Sequence, residues 1–157
     1  MSKLNDAPMS TTGLTGAALM QQCERAVIGF TVAFDLGDLD RMVQLFAADG
    51  VWHRRDGAIS GVDQLRQFMQ VRSPTLLVRH VLSNLSTTLL SDSHAVVDSY
   101  VTVYRHDGAQ GSAAPRPAPL HSPNLVGRFR DEVRRTEHGW QLSSRAVTID
   151  FLQQSTE

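Results

Sequence analysis

Asp35, His80 and Arg145 have side chains of the types that general acid–base catalysis uses. A histidine beside a carboxylate is a common general base, because the carboxylate fixes the imidazole tautomer and stabilises the imidazolium that forms. Burial lowers the pKa of a histidine and a neighbouring acid raises it, so the ring can titrate close to neutrality. An arginine near such a pair could stabilise negative charge on a substrate oxygen. Whether the three side chains meet depends on the elements that carry them.

Each of these residues also has a purely structural interpretation. Asp35 lies near the C-terminus of a predicted helix, where the dipole disfavours a negative charge, and this position alone favours a solvated carboxylate. His80 lies in the middle of a predicted strand, where histidine is more often a core or interface residue than a catalyst. Arg145 lies on an apolar strand face and needs an anion there, either a bound oxygen or a structural partner such as Asp98 or Asp131.

The first half of the chain has helical patterning. Apolar residues recur at three- and four-residue steps over 17–36, which predicts a long helix. Asp38 can cap a second helix, and a third helix begins at Ser60 with a sequence similar to a capping box. Between them, 49–50 is typical of a turn and 51–53 of a short strand.

The second half is rich in residues that favour strands. Predicted strands cover 78–90, 94–105, 125–134 and 140–151, and a proline-rich loop covers 107–123. Helices followed by strands indicate an α+β fold rather than alternating βαβ units. Strict alternation along the first of these strands places His80 and Asn84 on one face, which could line a polar pocket.

The composition is that of a globular domain, with 41% hydrophobic and 20% charged residues among 157. We place one domain at 17–152, between a disordered tail over 1–16 and a short tail over 153–157. A net charge of −1 leaves no cationic surplus for a nucleic-acid partner. No apolar run could span a bilayer and the first residues lack a secretory signal, so we expect a cytoplasmic protein without membrane attachment.

Nucleophilic and metal chemistry have less support. Cys23 is the only cysteine, which excludes an internal disulfide and a multi-cysteine metal site. It also lies on the predicted buried stripe of the first helix, which argues against a reactive thiol. The histidines lack helix-face metal spacing and the sequence contains no His-Glu-x-x-His, so we expect no metal.

Six segments in order carry a family resemblance. They are 30–40, 45–52, Gly61, 79–84, 127–131 and 139–145. With them the chain resembles the SnoaL-like branch of the nuclear transport factor 2-like superfamily over most of the predicted domain. The resemblance implies a cone-shaped α+β barrel, in which a strongly curved mixed sheet wraps around N-terminal helices and encloses a deep pocket.

The resemblance also implies roles for single residues. In the superfamily's dehydratases and dehydrochlorinases, including scytalone dehydratase, bile acid dehydratases and hexachlorocyclohexane dehydrochlorinase, an aspartate near the end of the first long helix pairs with a strand histidine that removes a proton. Those roles would fall on Asp35 and His80. An arginine late in the last strand lines the pocket in several of these enzymes and would match Arg145.

Further residues are expected to contact substrate: Phe30, Trp52, Asn84 and Tyr100. Phe30 stands one and a half helical turns before the aspartate, where related dehydratases often carry tyrosine or lysine. Because phenylalanine cannot donate a proton, a donor would have to come from another wall, with Trp52, Tyr100 or Tyr104 as candidates.

The leading functional hypothesis is a cofactor-independent small-molecule lyase or isomerase, similar to a dehydratase or dehydrohalogenase. Its substrate would be small and hydrophobic, aromatic, polyketide-like or steroid-like. Two alternatives stay open, because a fold does not fix a function. One is a non-catalytic β subunit of a ring-hydroxylating dioxygenase, and the other is a ligand-binding protein of the same fold.

The fold normally leaves one sheet face apolar, and Val97, Val101 and Val103 are expected to supply that face. We therefore expect a homo-oligomer, a dimer or a trimer, that associates through it.

Overall fold

The computed structural model describes residues 16–108, 116–120 and 122–154. Of the predicted tail over 1–16, only Gly16 lies within these ranges, where it begins the first helix. Residues 109–115 and 121 of the predicted loop over 107–123 lie outside them, as do 155–157 of the tail over 153–157. The elements are α1 (Gly16–Leu36), α2 (Leu39–Leu45), β1 (Phe46–Arg54), β2 (Gly57–Ser60), α3 (Gly61–Gln70), β3 (Leu76–Ser91), β4 (His94–Asp107), β5 (Leu125–Thr136) and β6 (Gly139–Leu152).

The strands form one curled mixed sheet in the order β2-β1-β6-β5-β4-β3. The β1 and β6 strands are parallel and every other neighbouring pair is antiparallel. The α1 helix packs its apolar stripe, including Cys23, Val27 and Phe30, into the core on the inner side of this sheet. The predicted α+β fold, with a curved mixed sheet around N-terminal helices, is confirmed.

The end of α1 is fixed by backbone geometry. Gly37 has a φ of +73°. Its N–H donates to the Phe34 carbonyl at 3.1 Å, and the N–H of Asp38 donates to the Ala33 carbonyl at 2.8 Å. This is a Schellman motif, in which a glycine takes the left-handed conformation just past the helix. The motif places Asp35 in the last turn of α1, next to the sheet.

The other two helix starts differ in detail. The Asp38 carboxylate accepts the Arg41 N–H at 3.0 Å, so its predicted capping role is confirmed. Ser60 stands at the N-cap of α3, but its side chain makes no capping bond. Instead, the Ser60 N–H donates to Oε1 of Gln64 at 2.8 Å. The predicted capping box is therefore wrong in its partners, although the helix begins where expected.

The β1 strand is longer than predicted and contains the residues assigned to a turn. Its pairing with β6 shifts between Phe46 and Val51. A Cβ on Gly50 would meet the Ala47 carbonyl oxygen at 3.0 Å, so glycine permits a close approach there. The Asp49-Gly50 signal thus marks an irregularity inside a strand rather than a turn.

The β3 strand changes face halfway along its length. Its register with β4 shifts between Ser83 and Ser86, and Asn84 has a φ of 52°. This is a β-bulge, in which one extra residue reverses the inside–outside alternation. Asn84 is therefore exposed, whereas Leu82 and Leu85 pack against the core on either side of it.

The valines assigned to an outer apolar face lie on the inner face. Val97 and Val101 are fully buried, and Val97 belongs to the core under the helices. The sequence could not distinguish the two faces of β4, because Val96 on the opposite face is buried as well. The expected oligomer stays a prediction, but these side chains cannot supply its interface.

Within the described residues, no helix combines the length and apolar character that a membrane crossing requires.

Candidate active site

Asp35 and His80 are in direct contact. The His80 ring nitrogen Nδ1 lies 2.6 Å from Oδ1 of Asp35, and the His80 backbone N–H donates to Oδ2 at 2.8 Å. The His80 side chain is only 13% exposed, and the Asp35 side chain is 7% exposed. The carboxylate is thus not a solvated helix-end acid. The Schellman end of α1 brings it to the first part of β3, before the bulge.

The two bonds determine what the imidazole can do. An ionised carboxylate accepts hydrogen bonds only, so Nδ1 carries the proton and donates it to Asp35. Nε2 then keeps its lone pair and is the nitrogen available to accept a proton. Because Oδ2 also holds the His80 backbone N–H, the carboxylate is locked to the strand as well as to the ring.

His80 lines a cavity of about 520 Å³, which is large enough for a small organic molecule. Aromatic and aliphatic side chains make most of the wall: Phe34, Trp52, Leu76, Val78, Val103, Leu125, Phe129, Val147 and Ile149. Four charged side chains complete it: Arg54, Arg55, Asp56 and Arg105. Three of these, Arg55, Asp56 and Arg105, are exposed and mark the solvent side of the cavity.

Aromatic rings hold the imidazole plane. The Phe34 ring meets the His80 ring edge-on at 5.5 Å between centroids, and the Phe129 ring stacks on it at 6.3 Å. Trp52 meets Phe34 edge-on at 5.4 Å. Arg54 lies over the Phe68 ring at 4.2 Å and binds both oxygens of Asp56 at 3.0 and 3.2 Å. The catalytic candidate therefore sits in an ordered aromatic setting.

Arg145 is buried behind this wall. Its Nε and Nη2 donate to the two carboxylate oxygens of Asp131 at 2.6 and 2.9 Å. Its guanidinium lies 4.3 Å from the centroid of Phe129 and 5.3 Å from that of Phe30. Burial raises the pKa of Asp131, and the guanidinium beside it acts in the opposite direction. These are the contacts of the structural alternative, and the catalytic role of Arg145 stays a prediction.

Phe129 contacts both His80 and Arg145. One face of its ring stacks on His80 while the ring also contacts the Arg145 guanidinium. Arg145 is not among the described residues that line the His80 cavity. The structure therefore brings Asp35 and His80 together, whereas Arg145 contacts Phe129 but does not line the cavity of His80.

The four predicted substrate contacts are divided between three places. Trp52 lines the His80 cavity. Phe30 is fully buried and stacks on Phe46 at 5.6 Å, behind that wall. Asn84 and Tyr100 line a depression on the outer face of the sheet instead. The bulge in β3 sends Asn84 outward, and Tyr100 is on the opposite face from the buried Val101, so neither reaches His80.

Sequence reasoning missed Phe34, Arg54 and Phe129 as cavity residues. Phe34 belonged to a stripe that was assigned to the core, and it lies at the edge of that stripe. For Phe129 a signal was present, because its alternation with Gly127 and Asp131 places all three on one strand face. Only the three-dimensional packing of that face against β3 reveals that the ring touches His80.

Neither a metal centre nor a reactive thiol is built from the described residues. Their His, Cys, Asp and Glu side chains form no group of three or more that could hold a metal ion. Burial raises the pKa of the Cys23 thiol from 9.0 to about 11, so it stays protonated at neutral pH.

Solved structures with the same fold have distant sequences. A protein of unknown function with a cystatin-like fold from Nostoc punctiforme is 23% identical, with a TM-score of 0.68 over 88% of this chain and 96% of that chain. A protein provisionally named scytalone dehydratase from Novosphingobium aromaticivorans is 16% identical, with a TM-score of 0.70 over 88% of both chains. At such identities the likeness concerns the fold alone.

A third structure is that of a provisionally named dehydratase of the nuclear transport factor 2-like family from Streptomyces avermitilis. It is 19% identical, with a TM-score of 0.69 over 87% of this chain and 99% of that chain. No curated protein matches the chain in sequence. The family model of the SnoaL-like domain matches residues 17–146. The chain thus belongs to the family of SnoaL-like domains within the nuclear transport factor 2-like superfamily.

Proposed function

We propose that this protein is a small-molecule lyase or isomerase that works without a cofactor, with His80 as the general base and Asp35 as its orienting acid. The observation that carries the proposal is the 2.6 Å contact between Nδ1 of His80 and Asp35 on the wall of a largely apolar cavity. Membership of a family with dehydratase-type relatives supports the same reaction class.

The reaction begins when Nε2 of His80 accepts a proton from a carbon next to a carbonyl or a leaving group. In a lyase, the electron pair of the broken C–H bond forms a C=C bond as hydroxide or halide departs. In an isomerase, the same pair forms the C=C bond of an enolate as the π pair of the carbonyl moves to its oxygen, and the imidazolium then returns the proton to another carbon as the carbonyl re-forms. In both cases Asp35 stabilises the imidazolium, and such proton transfer contributes roughly 10²–10⁴-fold to the rate.

Negative charge that develops on the substrate needs a cation that lines the His80 cavity. Arg54, Arg55 and Arg105 line the cavity with His80, whereas Arg145 does not. Arg54 is held by its bidentate pair with Asp56 and by the Phe68 ring, so it is the most fixed of the three. We assign to these three arginines the stabilisation of a departing anion or an enolate.

The test compares His80→Gln with the parent on a panel of β-hydroxy and β-halo carbonyl compounds of aromatic or polyketide type. Turnover is followed by the absorbance of the conjugated product and by solvent deuterium incorporation next to the carbonyl. We expect His80→Gln to lower kcat/KM by roughly 10²–10⁴-fold. The matched control is His53→Gln, because His53 is exposed and lies outside the cavity. Equal activity of both variants would refute the proposal.

A ligand-binding protein without turnover is the second candidate, and one observation favours it. The buried cation Arg145, which the resemblance assigns to the pocket, is fully engaged by Asp131. The fluorescence of Trp52, which lines the cavity, reports ligand binding directly. Quenching by a compound that neither exchanges deuterium nor forms product would identify this second function.

A further inference from the structure

Arginines converge on a second region, beside the Asp35–His80 pair. A cavity of about 530 Å³ is lined by Asp35, Arg72, Arg79 and Arg116, among others. An adjoining cavity of about 330 Å³ shares Arg79 and Arg116 and adds Arg105 and His106. We call these two connected cavities the arginine groove. It contacts the His80 cavity only through Leu76 and Arg105, which line both.

The arginine groove lacks the anions that would balance it. Asp35 is the only acidic residue among the described residues that line it, and both its oxygens already accept hydrogen bonds from His80. Arg105 has a partner, because Asp107 lies 3.5 Å from its Nη2. Arg79 donates from Nη1 to the backbone carbonyl of Val78 at 2.6 Å and has no carboxylate within the described residues.

Arg72 is the most incompletely satisfied of the set. Its Nη2 donates to the backbone carbonyl of Asp35 at 3.2 Å, but its Nη1 is buried and has no hydrogen-bond partner among the described residues. Burial lowers the pKa of Arg72, as expected for a cation with too little compensation. The segment 109–115, which precedes Arg116 in the sequence, contains no acidic residue.

What distinguishes the groove is that its arginines converge on one cavity, since single exposed arginines such as Arg66 also lack a carboxylate partner among the described residues. On the outer face of the sheet, three arginines each bind a carboxylate: Arg128 with Asp150, Arg130 with Asp98, and Arg134 with Asp49. The arginine groove has the cations without the partners, which is the arrangement of a site for an external anion.

We propose that the arginine groove binds a phosphate group, either as the free ion or as the ester of an organic ligand. Guanidinium forks match the geometry of phosphate oxygens and desolvate at lower cost than ammonium groups. Three arginines without carboxylates exceed what one carboxylate ligand would balance, whereas a phosphate carries more charge and more acceptor oxygens. The groove adjoins the proposed catalytic site, because Asp35 lines the groove and Arg105 lines both regions, but phosphate binding does not require the proton transfer.

The test uses Arg79 and Arg116, because Arg72 also contacts Asp35. Inorganic phosphate is titrated against the parent and against the double variant Arg79→Gln/Arg116→Gln by calorimetry at constant ionic strength. We expect saturable binding to the parent and affinity at least about tenfold weaker in the double variant, since charge-assisted hydrogen bonds are lost. The matched control is Arg66→Gln, an exposed arginine of α3 that lines neither cavity, with a change below about twofold.

Two further arms identify the source of the phosphate and keep the test decisive. Phenyl phosphate binding more tightly than inorganic phosphate indicates an ester ligand, and equal binding indicates the free ion; both outcomes support the site. Acetate binding to the parent as tightly as phosphate would overturn the proposal without any variant. Non-saturable binding, or the same weakening in Arg66→Gln, would also overturn it. Circular dichroism melting verifies that the variants are folded.

Discussion

Asp35 accepts two hydrogen bonds from His80, one from the ring and one from the backbone, and together they determine which ring nitrogen carries the proton. Oδ1 contacts the ring at Nδ1, and Oδ2 accepts the backbone N–H of the same residue. Both hydrogen bonds therefore require an acceptor atom on the side chain of Asp35. A carboxylate offers two acceptors, whereas an amide offers one acceptor and one donor.

Asp35→Asn should consequently place the proton on Nε2 of His80, so that Nε2 can no longer act as the base, while leaving the fold intact. If the amide oxygen keeps the backbone bond, its NH₂ group faces Nδ1 and forces the proton onto Nε2. We expect kcat to fall by roughly 10²–10⁴-fold, as it would with the base removed. Nitrogen NMR of the imidazole reports the tautomer directly. Asp40→Asn, at an exposed acid of α2, is the control and should change neither the tautomer nor kcat.

Cys23 offers a pH test of the core. Burial raises the pKa of its thiol from 9.0 to about 11. Below pH 9 the thiol is neutral in both folded and unfolded chains, so its contribution is intact there. As pH rises through about 11, the unfolded chain gains by ionising first, and stability falls by on the order of 3 kcal/mol.

We therefore expect the parent to lose more stability than Cys23→Ala between pH 9 and 11, as measured by urea denaturation. The difference between the two proteins removes the contribution of tyrosines and of the single lysine, which both share. Parallel curves for parent and variant over this window would contradict the buried, raised-pKa thiol.

At the level of elements, long periodic segments were predictable and local reversals were not. The stripe of α1 and the hairpin of β5 and β6 follow from apolar spacing and turn residues. The contact of Asp35 with His80 followed from the family resemblance, since spacing alone favoured a solvated acid. The outward orientation of Asn84 could not be predicted, because apolar–polar alternation does not indicate the residue at which a bulge reverses the two faces of a strand.

Asn84 is a residue that tolerates the left-handed conformation, which is a physical reason for its presence at the bulge. We expect Asn84→Ala to destabilise the protein by about 1–2 kcal/mol, since it brings a backbone penalty with no compensating bond. Asn84→Gly should be nearly neutral or stabilising. Urea denaturation of both variants measures this, with Ser83→Ala as the exposed neighbour control. A larger loss for glycine than for alanine would contradict the bulge.

On the scale of the whole molecule, one row of residues crosses four strands at the inner face. Val97 on β4 is opposite Asp131 on β5, Asp131 is opposite Arg145 on β6, and Arg145 is beside Trp52 on β1. The row joins the helix-covered core to the wall of the His80 cavity. Its central ion pair is nearly inaccessible, with the Arg145 side chain 2% exposed and that of Asp131 0% exposed.

The attraction within this buried pair contributes less to the free energy of unfolding than the fact that neither charge is left without a partner. Removing one partner leaves an uncompensated buried charge, so Arg145→Met should cost about 3–5 kcal/mol. Replacing both partners, Arg145→Met with Asp131→Leu, should recover most of that loss because no charge remains buried. Urea denaturation of the double-mutant cycle measures the coupling. The exposed pair of Arg130 and Asp98 is the control, where Arg130→Met should cost less than about 1 kcal/mol.

The same double variant decides what Arg145 does. If the pair is structural, a folded double variant turns substrate over with a kcat close to that of the parent, because Arg145 does not line the His80 cavity. If Arg145 instead acts on substrate, the double variant is stable but loses roughly 10²-fold or more in kcat, the size of effect expected when a charge-stabilising group is removed. Arg145→Met alone is expected to lower both stability and turnover. A double variant that regains stability but not turnover would therefore show that the predicted catalytic role is correct.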